Sequence, residues 1–160
     1  MSVHDPIDSN ATATPLNPGQ PVAGVEPPVP FLALLSLRRE SVGEGVAVVA
    51  LELRADLLNQ HGSSHSGVVM TLLESAMVHA ARGAGVVTRE VETIDLHLGF
   101  MRRASGRLVA TGRTTGGGRS VCFCEAELVD GSGAVVAKGM GTFRLRAPVS
   151  APSGGGAAAP

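Results

Sequence analysis

The 160-residue chain has no tryptophan, no tyrosine and only four phenylalanines, at positions 31, 100, 123 and 143. A core must therefore be built from Val, Leu, Ala and Met, and the aromatic platforms on which nucleic-acid bases stack are missing. No sign of charge dominates: 13 Lys and Arg stand against 14 Asp and Glu, for a net charge of −1. Without a basic stripe or exposed aromatics, nucleic acid is not an expected partner. Two cysteines, Cys122 and Cys124, cannot make a disulfide framework, which points to a reducing, cytoplasmic setting. No run approaches the roughly 18 apolar residues of a membrane span. A basic segment leading into an apolar one is also missing at the N-terminus, so neither a signal peptide nor a membrane anchor is expected.

Proline is absent from residues 31–147, although the chain contains ten. The flanking segments 1–30 and 148–160 are rich in Pro, Ala, Ser, Thr and Gly. Such sequences bury too little apolar surface to offset chain entropy, and both are expected to be disordered tails. The stretch 31–147 is long enough for one domain with its own core.

Within it, strands are expected over 34–42 and 44–54, separated by a turn at Gly43-Glu44-Gly45. A polar loop follows, with Asn59, His61, Ser63, Ser64 and His65. Residues 66–82 carry apolar side chains all round the helical wheel and end at Gly83, so they predict a buried helix, with Ser63 or Ser64 as its cap. Four further strands are expected over 90–103, 107–115, 119–129 and 135–146. Their connectors are short and rich in Gly and Ser, so the strands are antiparallel neighbours. The fold class is α+β, an antiparallel sheet wrapped around one long helix.

The helix carries one carboxylate, Glu74, flanked by Leu72, Leu73, Ala76 and Met77. A glutamate among apolar neighbours must be paired, protonated or directed at a cavity, and burial raises a carboxyl pKa as a general base requires. Asn59, His61, Ser64, His65 and Ser66 precede the helix, where unpaired N–H groups accumulate partial positive charge suited to an oxyanion. Glu74 lies eight residues beyond Ser66, about 12 Å along the axis. One helix therefore cannot bring both groups to one carbonyl. Two antiparallel copies can, and a two-fold dimer with two shared sites is expected.

Asn59, then His65-Ser66-Gly67, then Glu74 resembles the N…HGG…(D/E) signature of hotdog-fold acyl-CoA thioesterases of the phenylacetic-acid-degradation and 4-hydroxybenzoyl-CoA type. The segment 93–103 resembles the strand after the helix in that family, and Gly118-Arg119-Ser120 and 137–143 resemble its last two strands. The resemblance implies a hotdog fold and hydrolysis of an acyl-CoA or aryl-CoA thioester. Coenzyme A would be part of the substrate, and no cofactor or metal would be needed. It also implies a homo-oligomer, a dimer with a tetramer as the expected higher assembly. Glu74 then takes the role of nucleophile or general base, the Ser66 N–H polarises the carbonyl beside Gly67, His65 and Asn59 orient the loop or water, and Thr93 assists Glu74. Ser66 departs from the first glycine of the signature, which narrows the site without removing its N–H. Val78 offers no hydroxyl where some members of the family have one.

Strand alternation groups Thr93 with Asp95 and His97 on the face opposite Ile94, Leu96 and Leu98, so Thr93 reaches Glu74 only across a bulge or from a strand start lying under the partner subunit. For the phosphates of coenzyme A, Arg102, Arg103 and Arg119, with Ser120, are the candidates. His61 and His65 lack a third metal ligand, and Cys122 and Cys124 read as small core residues. Two other functions stay open at this point: a module that binds acyl-CoA without cleaving it, and a hydratase or dehydratase of the same fold, whose histidine motifs are absent.

Overall fold

The computed structural model describes residues 29–83 and 90–146. A short helix, α1 (Pro30–Leu34), leads into a hairpin of β1 (Arg38–Gly43) and β2 (Val46–Glu52). A single 3₁₀ turn (Ala55–Leu57) and the polar loop precede α2 (Ser66–Gly83). Strands β3 (Glu90–Phe100), β4 (Arg107–Gly117), β5 (Val121–Val129) and β6 (Val135–Arg146) complete the chain. The six strands form one sheet in the order β1-β2-β4-β5-β6-β3, with every pair antiparallel. The short strand β1 and the long strand β3 are its edges.

One face of the sheet wraps α2. Val49, Leu108, Leu128, Val136 and Phe143 point inward to meet Leu72, Leu73, Ala76 and Met77, and all are at least 98% buried. The approach is closest at Gly112 of β4, where an added Cβ would stand 2.4 Å from the carbonyl of Ala76. Only glycine lets the helix lie this near the strand. Cys122 and Cys124 are buried core thiols, as expected, with their sulfurs 3.7 Å apart. Burial, followed by the neighbouring Cys122, pushes the Cys124 thiol well above its ordinary pKa. Among the described residues no helix is long and apolar enough to cross a membrane. The expected disorder of the tails concerns residues outside the described ones.

Four sequence expectations need correction. The first strand does not begin at Leu34: residues 30–34 are helical, so Val29 and Pro30 belong with the folded residues rather than the tail. Proline occupies the start of the helix, where its fixed φ is already helical and its missing N–H costs nothing. The helix ends in a Schellman motif, with Ser36 left-handed at φ 58°, its N–H donating to Ala33 O and the Leu37 N–H to Leu32 O. The second strand begins at Val46, because Glu44 (φ 50°) and Gly45 (φ 75°) form the two-residue turn of the hairpin. Strand β3 stops at Phe100 instead of continuing to Arg103. The N–H groups of Met101 and Arg102 both turn to Val136 O, at 2.9 and 3.2 Å. Finally, α2 is not buried all round: Met70 is 43% exposed, and Thr71, Glu74 and Val78 on the same stripe are only half-buried.

Candidate active site

The loop ahead of α2 is organised by Asn59. Its side-chain amide donates to Ser63 Oγ and Ser64 O, and its Oδ1 accepts the N–H groups of His61 and Ser63. A carboxamide bonding its own backbone two residues on is the local reason this stretch turns back on itself. Two longer-range bonds fasten the loop: Ser64 N–H to Ala104 O and His65 N–H to Leu57 O.

The cap on α2 is His65, not Ser63 or Ser64, both of which are buried in the loop. The carbonyl of His65 accepts the first helical bond, from Val68, and its Nδ1 accepts the Gly67 N–H at 3.0 Å. That bond places the ring proton on Nε2. A Cβ on residue 67 would stand 3.1 Å from Nδ1, so glycine admits the ring. The Gly67 N–H is thus consumed by the cap. The Ser66 N–H, at the exposed helix start, has no acceptor among the described residues. One donor is tied and its neighbour is untied.

Asn59, His65 and Ser66 open into a cleft of about 550 Å³ whose far wall is Phe100, Met101, Arg102 and Arg103. The sequence-predicted loop and two of the predicted arginines are therefore neighbours, and the turn after Phe100 brings them together. Arg119 and Ser120 are not brought to this cleft. They lie exposed on the β4–β5 connector, where the Ser120 carbonyl accepts the Leu145 N–H.

Glu74 stands apart, over a second cavity of about 440 Å³ shared by α1, α2 and β3. Its Oε1 accepts the hydroxyl of Thr93 at 2.9 Å. The pairing of β3 with β6 shifts register between Thr93 and Asp95, a bulge and thus the first of the two routes left open by the alternation. Apart from Thr71, Glu74, Ser75, His79 and Arg82 the walls are apolar, with Phe31, Leu32, Met70, Val78 and Leu96 among them. Phe31 and Leu32 were not among the residues singled out by the sequence; Pro30 ahead of an apolar run was the available signal. Among the described residues no group of three or more His, Cys, Asp or Glu is placed to hold a metal ion.

Comparison with known proteins agrees with this architecture. The family model of the thioesterase superfamily matches residues 61–137. A candidate esterase of Halobacterium salinarum is 30% identical over 126 residues, covering 72% of this chain and 83% of the relative. The acyl-coenzyme A thioesterase PaaI of Escherichia coli is 33% identical over 92 residues, 56% of this chain and 64% of PaaI. The solved structure of a conserved protein from Pseudomonas aeruginosa superposes with a TM-score of 0.68 at 32% identity, covering 72% of this chain and 92% of that one. The chain belongs to the thioesterase superfamily and is a thioesterase of the hotdog fold.

Proposed function

We propose that the protein hydrolyses thioesters of coenzyme A with apolar acyl or aryl groups, at two sites shared across a two-fold dimer. In each site the loop of one subunit supplies the Ser66 N–H, and α2 of the other supplies Glu74. The carbonyl oxygen of the thioester accepts the Ser66 N–H. Glu74 either takes a proton from the water that attacks the carbonyl carbon or attacks it directly, to form an anhydride that water then opens. Collapse of the tetrahedral intermediate breaks the C–S bond, and the thiolate of coenzyme A leaves and takes up a proton. Arg102 and Arg103 meet the phosphates at the mouth of the loop cleft, with Arg119 and Ser120 completing that contact only from another subunit.

The observation that carries this reading is the separation of the two half-sites. A carboxylate held by Thr93 faces an apolar cavity, an unpaired N–H faces a cleft bearing two arginines, and no single chain unites them. Exposed apolar surface supports the dimer. Met70 on the Glu74 stripe is 43% exposed, and Ile94 on the long edge strand β3 is 50% exposed. Met140 and Phe123, exposed on the outer face of the sheet, favour further pairing of dimers into a tetramer. The test is thiol release from a panel of coenzyme A esters by the native protein and by Glu74→Gln. Hydrolysis by the first and its loss in the second is expected. Tight ester binding without thiol release would instead assign the protein to a binding module.

A further inference from the structure

We infer that α1 is the outer wall of the acyl chamber, and that Phe31 and Leu32 set which acyl groups the enzyme accepts. This rests on the thioesterase reading above and concerns residues that precede the segment 61–137 matched by the family model. The cavity beneath Glu74 has three sides: the open stripe of α2, the inward residues of β3, and α1, from which Phe31 and Leu32 face it. Its volume of about 440 Å³ lies within the range of small-molecule clefts. The Ser75 hydroxyl, on a residue 97% buried, lines the same cavity and has no hydrogen-bond partner among the described residues. A buried hydroxyl directed into a chamber offers a hydrogen bond to a ligand or its water.

A five-residue helix cannot hold its position by its own hydrogen bonds. Arg54 holds this one. Its guanidinium donates to Leu34 O at 2.7 Å, to Leu35 O at 3.1 Å and to Ser36 Oγ at 3.3 Å, and Asp56 accepts from its Nε. These acceptors include the last carbonyls of α1, which carry the negative end of the helix. The wall is therefore a discrete element, pinned at one end by a side chain from beyond β2 and placing an aromatic ring and a leucine over the reacting carboxylate. An acyl group reaching Glu74 from the loop cleft runs on toward this wall, and its length and bulk are read there.

The experiment compares kcat/KM for acetyl-, butyryl-, hexanoyl-, decanoyl- and phenylacetyl-coenzyme A among the native protein, Phe31→Ala, Leu32→Ala and Phe31→Trp. The alanine variants are expected to raise the ratio of decanoyl to butyryl turnover about tenfold, the scale on which one or two methylenes are discriminated in an apolar pocket. Phe31→Trp is expected to lower the ratio. Arg54→Ala, which frees the wall without touching the chamber, is expected to flatten the profile. Profiles of unchanged shape in the three Phe31 and Leu32 variants would overturn the inference while leaving the thioesterase reading intact. Absence of thiol release from every ester by the native protein would instead overturn that reading. If an alanine variant does not fold, as judged by circular dichroism, Phe31→Trp decides alone.

Discussion

The hydroxyl of Thr93 lies 2.9 Å from Glu74 Oε1, although strand alternation assigns Thr93 to the side of β3 that faces away from α2. The bulge between Thr93 and Asp95 resolves the conflict by turning one residue of an edge strand toward the helix. An edge strand tolerates the irregularity because only one of its sides is committed to a ladder within the chain. The donated hydrogen bond orients the carboxylate.

Thr93→Val preserves the shape and β propensity of the side chain and removes only the hydroxyl. A fall in kcat of about tenfold, equivalent to ~1.4 kcal/mol in the barrier, is expected with little change in far-UV circular dichroism. Turnover equal to that of the native protein would show that Thr93 does not orient Glu74.

Ser66 is the first residue of α2, where proline is well tolerated and removes the N–H together with the hydroxyl. Ser66→Pro, set against Ser66→Ala, therefore isolates the loss of the proposed oxyanion donor. Steady-state kinetics should show a loss of about 100-fold or more in kcat, while the melting temperature stays near the native value. Ser66→Ala, which keeps the N–H, should retain activity.

Mixing inactive Glu74→Gln and Ser66→Pro chains tests the shared site directly. In a mixed dimer both lesions fall in one site and the other site is native. Refolding an equal mixture should restore about a quarter of native activity, since half of the dimers are mixed and each has one working site of two. No recovery would place both groups in sites formed within single chains.

Gly112→Ala should destabilise the protein by about 3 kcal/mol, because the new methyl meets backbone rather than a side chain that could move. Gly118→Ala, at a position with nothing within 4 Å, is the matched control and should unfold at nearly the native denaturant concentration.

Both thiols should resist Ellman's reagent in the native protein and react after denaturation. Cys122 and Cys124 are at least 95% buried, and burial holds the Cys124 thiol protonated well above its ordinary range. Rapid labelling at neutral pH in the folded protein would contradict this packing.

Much of the protein was legible from its residues alone. The polar loop, the apolar run closed by Gly83 and the short connectors between later strands are local signals, each decided by neighbours within a few positions, and they suffice for one helix inside an antiparallel meander. Glu74 and the Asn59–Ser66 loop stood out for the same reason, as polar groups out of keeping with their surroundings. What depended on distant residues was not legible. Pro30 to Leu34 is helical because Arg54, twenty residues on, holds its last carbonyls. Thr93 meets Glu74 because an edge strand bulges, and Arg102 and Arg103 join the Asn59 loop because the chain leaves β3 early to bond Val136. Periodicity records which face a residue prefers when its element is regular. Capping bonds, bulges and the wall that α1 builds over the acyl chamber are set by long-range contacts that leave no period, and only the tertiary structure decides them.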